Sequence, residues 1–248
     1  MKRIAVITGG SRGIGAAIAL CLAKQNYDIA ISYKKNKIKA DKIVNKIRSY
    51  GSSAIAVKVD LGKEKNIINL FNTVDKKLGR MYALVNNAAE LGEVMSIRDF
   101  ESKILERIFS VNLIGPMLCA KEAVHRLSTN YGGKGGVIIN ISSTASYIGG
   151  AGEYVHYAVS KGGINTLTIG MANELSKDNI RVNSVVPGLT NTDFLNPLGG
   201  RKRIKEKENI VPIGRAGEPK EIAEAVAWLL SDSASYITGA SLKVSGGL

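Results

Sequence analysis

Apolar positions along the chain fall into short unbroken runs and longer stretches with helical spacing. Residues 3–8, 28–33, 54–59, 82–86, 136–141, 180–186 and 241–244 read as strands. Helical spacing covers residues 13–24, with Ile14, Ile18 and Leu22 on one face, and continues through 37–49, 64–78, about 105–127, 155–175 and 219–230. Runs such as Ile4-Ala5-Val6-Ile7 and Val137-Ile138-Ile139 do not alternate with polar residues. A strand buried on both faces requires such runs, so the sheet is expected to be parallel and covered twice. Repeated strand–helix alternation with right-handed crossovers predicts an α/β fold: a doubly wound parallel sheet of about seven strands with helices on both faces.

No linker or internal repeat divides the sequence, so residues 1–248 read as one domain. The one long irregular region, at about 190–217, is rich in Gly, Pro and charge and follows a strand end. Ligands bind at such ends, so the region is expected to form a mobile substrate lid rather than a passive loop.

Composition narrows the picture. The 248 residues are 45% apolar and 22% charged, as in an ordinary globular protein. The 27 glycines against 5 prolines suggest tight turns rather than a proline-rich linker. No stretch approaches the roughly 18 to 20 apolar residues of a membrane helix. Met1-Lys2-Arg3 opens like a secretion signal, but the apolar run after it stops at Thr8-Gly9-Gly10. The expectation is a chain mature from Met1, cytoplasmic and without a membrane partner. Cys21 and Cys119 sit in apolar helical patterns and read as free buried thiols. Two scattered histidines and two scattered cysteines predict no metal site. The net charge of +13 suits a nucleic acid, an anionic cofactor or a lysine-rich solvated surface. No nucleic-acid motif accompanies it, so no nucleic-acid partner is expected.

Thr8-Gly9-Gly10-Ser11-Arg12-Gly13-Ile14-Gly15 joins the first predicted strand to the first predicted helix. Glycines there admit positive φ and let a pyrophosphate approach backbone N–H groups at the positive end of a helix. The spacing is T-G-x-x-x-G-x-G rather than G-x-G-x-x-G. A Gly-rich turn is also a common structural turn, but its place at the first strand–helix junction of an alternating chain points to a dinucleotide. An NAD site usually carries Asp or Glu about 20 residues beyond the loop. This sequence has Tyr33-Lys34-Lys35 there. Arg12 and Lys34 suit a 2′-phosphate, so NADP(H) is the expected cofactor and NAD(H) the less favoured one. The plain alternative is two solvated cations.

Tyr157-Ala158-Val159-Ser160-Lys161 places Tyr and Lys on one helix face. A free phenol, with a pKa near 10, is a poor base at neutral pH. An ammonium about 4 Å away at an effective dielectric near 20 contributes about 4 kcal/mol. That bounds the lowering at about three pKa units and makes an acid–base group near pH 7. By itself the spacing also fits an ordinary helix surface. Asn140-Ile141-Ser142-Ser143 and Val85-Asn86-Asn87-Ala88-Ala89 end two predicted strands, and Pro187-Gly188 follows a third. Asn112 falls inside a predicted helix, a poor place for Asn unless its amide holds something.

Together these segments resemble the short-chain dehydrogenase/reductase family over the whole chain, in order and at close to the family spacing. The resemblance implies a Rossmann-type fold and a catalytic set of Ser143, Tyr157 and Lys161, with Asn112 anchoring a proton-relay water. Ser142 is the rival for the substrate hydroxyl. Gly9, Ser11, Arg12, Gly13, Ile14 and Gly15 correspond to the phosphate loop, and Tyr33 and Lys34 to the adenosine end. Asp60 and Leu61 correspond to the adenine contacts, and Asn87 and Ala88 to a cofactor ribose contact. Tyr157 and Lys161 also face the cofactor. Pro187, Gly188, Thr190 and Thr192 correspond to the nicotinamide carboxamide segment. Residues 236–239 and 244–247 resemble a C-terminal segment that usually builds a homotetramer. Ala89 stands where the family prefers Gly, and Thr190 where it prefers an apolar residue. His156, beside Tyr157, points away from it on a helix and reads as structural.

The implied reaction is hydride transfer between NADP(H) and a small-molecule carbonyl or secondary alcohol. Residues 153–157 and 160–163 look closest to glucose 1-dehydrogenase-like enzymes, which favours a sugar or polyol. The alternative is a 3-oxoacyl-(acyl carrier protein) reductase, for which Lys134 suits an acidic carrier and Asp178 does not. A catalytically silent NADP(H) sensor is the alternative from another class.

Overall fold

The computed structural model describes residues 2–248; Met1, the expected start of the mature chain, lies outside them. In chain order the first half holds β1 (Ile4–Ile7), α1 (Gly13–Lys24), β2 (Asp28–Tyr33), α2 (Lys37–Arg48), β3 (Ala54–Lys58), α3 (Glu64–Lys77), β4 (Ala83–Asn86), α4 (Ser102–Phe109) and α5 (Gly115–Leu127). The second half holds β5 (Gly136–Ile141), α6 (Ala145–Ile148), α7 (Val155–Leu175), β6 (Ile180–Pro187), α8 (Gly200–Lys207), α9 (Pro219–Leu230) and β7 (Ser241–Val244). The strands form one parallel sheet in the order β3-β2-β1-β4-β5-β6-β7.

The unbroken apolar runs are explained by burial on both sides. Ala5 and Ile7 of β1 pack with Ile18 and Leu22 of α1, Val44 and Ile47 of α2, and Val226 and Leu230 of α9. Ile4 and Val6 face the other layer, with Leu70 and Phe71 of α3, Cys119 and Ala123 of α5 and Ala172 of α7. A fully buried side chain of this size contributes roughly 1.5–3 kcal/mol, so both faces of the sheet drive the fold. The chain runs outward from β1 to β3 and then returns to place β4 on the other side of β1. The strand order reverses there, opening a crevice at the carboxyl ends of β1 and β4, where such sheets bind ligands.

Three expectations change. The helix expected at 105–127 begins earlier, at Ser102, and is broken by a wide π-turn at Ser110–Ile114. Pro116 has no N–H to give the Asn112 carbonyl four residues back, so the regular ladder cannot run through it. Segment 190–217 is not irregular throughout. It contains a 3₁₀ stretch, Asp193–Leu198, and the helix α8. Apart from Gly200, α8 buries only Ile204, which is why its sequence carries so little periodic signal. Cys119 is buried but Cys21 only partly so, and both are free.

Candidate active site

The phosphate loop is shaped by the end of β4. The Asn87 amide donates to the carbonyls of Thr8 and Gly9 at 2.8 and 3.3 Å. The Thr8 hydroxyl accepts from the N–H groups of Asn87 and Ala88 at 3.0 and 3.1 Å, and the Ser32 hydroxyl accepts from Gly9 N–H at 3.0 Å. Gly9 has φ +68°, and a Cβ there would come within 2.9 Å of the Ala88 Cα. A Cβ at Gly15 would stand 2.4 Å from the Asn87 amide nitrogen. Helix α1 starts after Arg12 with no side-chain cap and no acid in its first turn. Its leading N–H groups and positive dipole end are therefore left for an anion, and the cradle fits a pyrophosphate.

From this loop a cleft of about 940 Å³ runs across the carboxyl ends of the strands. It is lined by every sequence-predicted cofactor residue: Gly9, Ser11 to Gly15, Tyr33, Lys34, Asp60, Leu61, Asn87, Ala88, Pro187, Gly188, Thr190 and Thr192, together with Ser143, Tyr157 and Lys161. Asn112 does not line it. Where the cleft passes the end of β2 the Lys34 ammonium lies 2.8 Å from a Glu90 carboxylate oxygen. Arg107 grips both Glu90 oxygens, at 2.9 and 2.6 Å, and reaches Asp60 at 2.8 Å. Burial pushes the Glu90 carboxyl up, but Arg107 and Lys34 outweigh it and hold it below the usual range. Sequence reasoning missed Glu90 and Arg107. The acid directly after Asn-Asn-Ala-Ala was the available signal.

Helix α7 carries Tyr157 and Lys161 on its buried face. The Lys161 ammonium donates to the Ile141 carbonyl at 2.7 Å and sits 5.7 Å from the centre of the Tyr157 ring. Burial lowers the Lys161 pKa to about 8. Burial also pushes the Tyr157 phenol up, and the neighbouring Ser143 hydroxyl draws it part of the way back. The direction is opposite to the one the Tyr–Lys spacing predicts. An ammonium that is itself desolvated is too easily neutralised to lower its neighbour much.

The two serines at the end of β5 separate. The Ser142 hydroxyl donates to the Lys161 carbonyl at 3.1 Å, while the Ser143 hydroxyl, beside the phenol, accepts from Ala145 N–H at 3.1 Å. Asn112 is fully buried, and its amide accepts from Glu90 N–H and donates to the Glu90 carbonyl, both at 2.8 Å. It also donates to the Ser160 hydroxyl at 3.2 Å. Asn86 donates to Asn140, and Asn140 to Thr168, at 3.0 and 2.9 Å, which ties β4, β5 and α7 together beneath the cleft. His156 points away from the cleft. It stands edge-on to Phe100 with ring centres 5.6 Å apart, and burial lowers its pKa.

Beside Tyr157 the cleft is apolar. Leu91, Ala145 and Ala158 form a small cluster with it, joined by Tyr154, Phe194 and Leu198. Segment 190–217 roofs this end. It is anchored by a backbone bridge between Thr190 and Gly217, by Lys39 to Asp193 at 3.5 Å, and by a two-pronged Arg203–Glu153 pair at 2.8 and 2.6 Å. Among the described residues no group of three or more His, Cys, Asp or Glu could hold a metal ion. No described helix is long and apolar enough to cross a membrane.

The family model described as Enoyl-(Acyl carrier protein) reductase matches residues 9–248. The chain is 41% identical to the uncharacterized oxidoreductase YgfF of Escherichia coli (strain K12), over 98% of this chain and 99% of that one. It is 34% identical to the 3-oxoacyl-[acyl-carrier-protein] reductase FabG of Staphylococcus epidermidis, over 100% and 99% of the two chains. A short chain dehydrogenase from Burkholderia cenocepacia J2315, solved in complex with NADP, superposes with a TM-score of 0.91 at 31% identity, covering 99% of this chain and 97% of that one. With a doubly wound sheet, a glycine cradle and a buried Tyr–Lys pair beside Ser143 behind these similarities, the chain belongs to the short-chain dehydrogenase/reductase family of oxidoreductases.

Proposed function

We propose that the protein interconverts a carbonyl and a secondary alcohol with NADP(H) as cofactor, using Ser143, Tyr157, Lys161 and Asn112. The observation that carries this reading is the single cleft joining the uncapped start of α1 to the buried phenol of Tyr157. Arg12 and Lys34 at the adenosine end, without an acid at the end of β2, favour a 2′-phosphate over a bare ribose. Solved relatives described in complex with NADP and NADPH support the same cofactor. When bound, the nicotinamide supplies the hydride for reduction and accepts it in oxidation.

In reduction, the Ser143 hydroxyl holds the carbonyl oxygen and the Tyr157 phenol gives that oxygen its proton. The raised phenol pKa suits it to keeping that proton until the oxygen turns basic. Lys161, held by the Ile141 carbonyl, returns a proton toward Tyr157. Asn112 serves this relay through its main chain: its amide is committed to Glu90 and Ser160, while Pro116 leaves its carbonyl without the ordinary helical donor. Segment 190–217 acts as a substrate lid over one domain.

Leu91, Ala145, Tyr154, Phe194 and Leu198 offer a carbonyl an apolar flank rather than the hydrogen-bond partners a polyol requires. The substrate reading therefore moves from sugars to ketones with an apolar arm. A 3-oxoacyl thioester is the second reading, favoured by the same lining and by Lys207 in the cleft wall. Two free thiols suit a reducing compartment, and a cytoplasmic homotetramer completes the reading. The test is a substrate panel followed by NADPH absorbance: apolar ketones and diketones, 3-oxoacyl thioesters, and glucose. Turnover of glucose in preference to the ketones overturns the apolar-flank reading. Tight NADPH binding with no turnover of any carbonyl points instead to a sensor.

A further inference from the structure

Lys34, the residue placed for a 2′-phosphate, is already engaged. Its ammonium shares one oxygen of Glu90 with the Arg107 guanidinium, at 2.8 and 2.6 Å. Arg107 holds the second Glu90 oxygen at 2.9 Å and passes its remaining arm to Asp60 at 2.8 Å. The four side chains come from β2's end, β4's end, α4 and the loop after β3, and their formal charges cancel. They are 22–41% exposed, so the pairs are only partly screened. A phosphate drawing on Lys34 has to compete with a carboxylate already there, and it meets a like charge beside the cation. A ribose hydroxyl meets no such repulsion, since a carboxylate accepts from it.

We propose that Glu90 is a specificity-determining residue of the cofactor site. It restrains the preference for a 2′-phosphate that Arg12 and Lys34 create, and Arg107 is the positioning residue that neutralises and orients it. This rests on the NADP(H) reading above. By compensating Glu90, Arg107 keeps the repulsion partial, so that a 2′-phosphate is admitted but not favoured as strongly as by two free cations.

The test is calorimetric titration with 2′,5′-ADP and with 5′-AMP, probes that differ only in the 2′-phosphate and need no turnover. The near-isosteric Glu90→Gln strengthens 2′,5′-ADP binding by about tenfold, the scale of one charge-assisted contact, and leaves 5′-AMP within about twofold. Arg107→Gln, which leaves Glu90 to draw on Lys34 alone, weakens 2′,5′-ADP by about tenfold, and the double variant returns it to wild-type strength or better. Arg107→Gln weakening both nucleotides alike means a structural role and overturns the assignment. An unchanged ratio of the two affinities in Glu90→Gln, with wild type binding 2′,5′-ADP normally, overturns the Glu90 inference alone. Wild type binding neither 2′,5′-ADP nor NADPH removes the cofactor reading and this inference together.

Discussion

Tyr157 and Lys161 show how burial sets the chemistry of single side chains. In the proposed mechanism Tyr157→Phe removes only the proton donor. Turnover should fall by about 10²- to 10⁴-fold while the NADPH dissociation constant stays within about twofold. Single-turnover kinetics alongside a binding titration check both, and residual activity above about a tenth of wild type removes Tyr157 from the role. Lys161 makes a less obvious prediction. Its folded pKa, about 8, lies below the ordinary lysine value of 10.5. Between these values the unfolded chain holds a proton that the folded chain has given up, so this group's contribution to stability rises with pH across that window. Below pH 8 folding bears the full cost of burying the ammonium, on the order of 3 kcal/mol. Lys161→Met should therefore be more stable than wild type at pH 7, by about 1–3 kcal/mol after loss of the bond to the Ile141 carbonyl. The gain should shrink steadily from pH 8 toward 10.5. Denaturant melts at pH 6.5, 8 and 9.5 check the sign, and a gain that grows with pH contradicts it.

Among the elements, α7 is unusual in turning polar side chains inward. Ser160, Lys161 and Thr168 are all buried, and each hydroxyl or ammonium donates to a backbone carbonyl, of Tyr157, Ile141 and Ile164 respectively. A helix whose buried stripe is polar needs such partners, because an unpaired polar group in the core costs about 1–3 kcal/mol. Helix α8 is the opposite case. Its exposed face is charged, and it is tied to the approach to α7 through Arg203 and Glu153. Breaking that pair should loosen the roof of the cleft without unfolding the protein, since a partly exposed ion pair is worth about 1 kcal/mol or less. Arg203→Met should raise KM for the carbonyl substrate by up to about fivefold and leave the NADPH dissociation constant unchanged. Steady-state kinetics with limited proteolysis of 199–207 separates this from a local folding defect, in which cleavage accelerates and kcat collapses as well.

At the scale of the whole molecule, charge and apolar surface are arranged separately. The net charge of +13 is spread over lysine-rich helices, while Ile114 and Met117 at the start of α5 and Val159 and Ile169 on α7 are about half exposed. Tyr236, in the segment expected to build a tetramer, is fully exposed. Exposed apolar side chains on these helices are what the tetramer reading needs for an association surface. In the tetramer reading, light scattering after size exclusion gives a mass near four chains for the wild type. Met117→Glu combined with Val159→Glu gives a smaller species with an unchanged far-ultraviolet spectrum. A monomeric wild type rejects the tetramer.

What the sequence determined by itself was local. The apolar runs announced strands such as β1, β4 and β5, because a strand buried on both faces leaves no room for alternation, whereas β7 at the sheet edge alternates in sequence and in burial. The T-G-x-x-x-G-x-G turn and Tyr157-x-x-x-Lys161 were legible because their chemistry lies within a few residues. The interruption at 110–114 was legible in principle, since Pro116 stood inside the expected helix, but the apolar spacing on either side masked it. Tertiary structure alone decided the charge network beside the end of β2. Lys34, Asp60, Glu90 and Arg107 are separated by 17 to 56 residues along the pairs that bond, and only the sheet order brings the ends of β2, β3 and β4 beside α4. It also decided the direction of the Tyr157 pKa. Spacing placed an ammonium nearby, but burial desolvated both groups, and desolvation acts through everything packed around a side chain rather than through its neighbours in sequence.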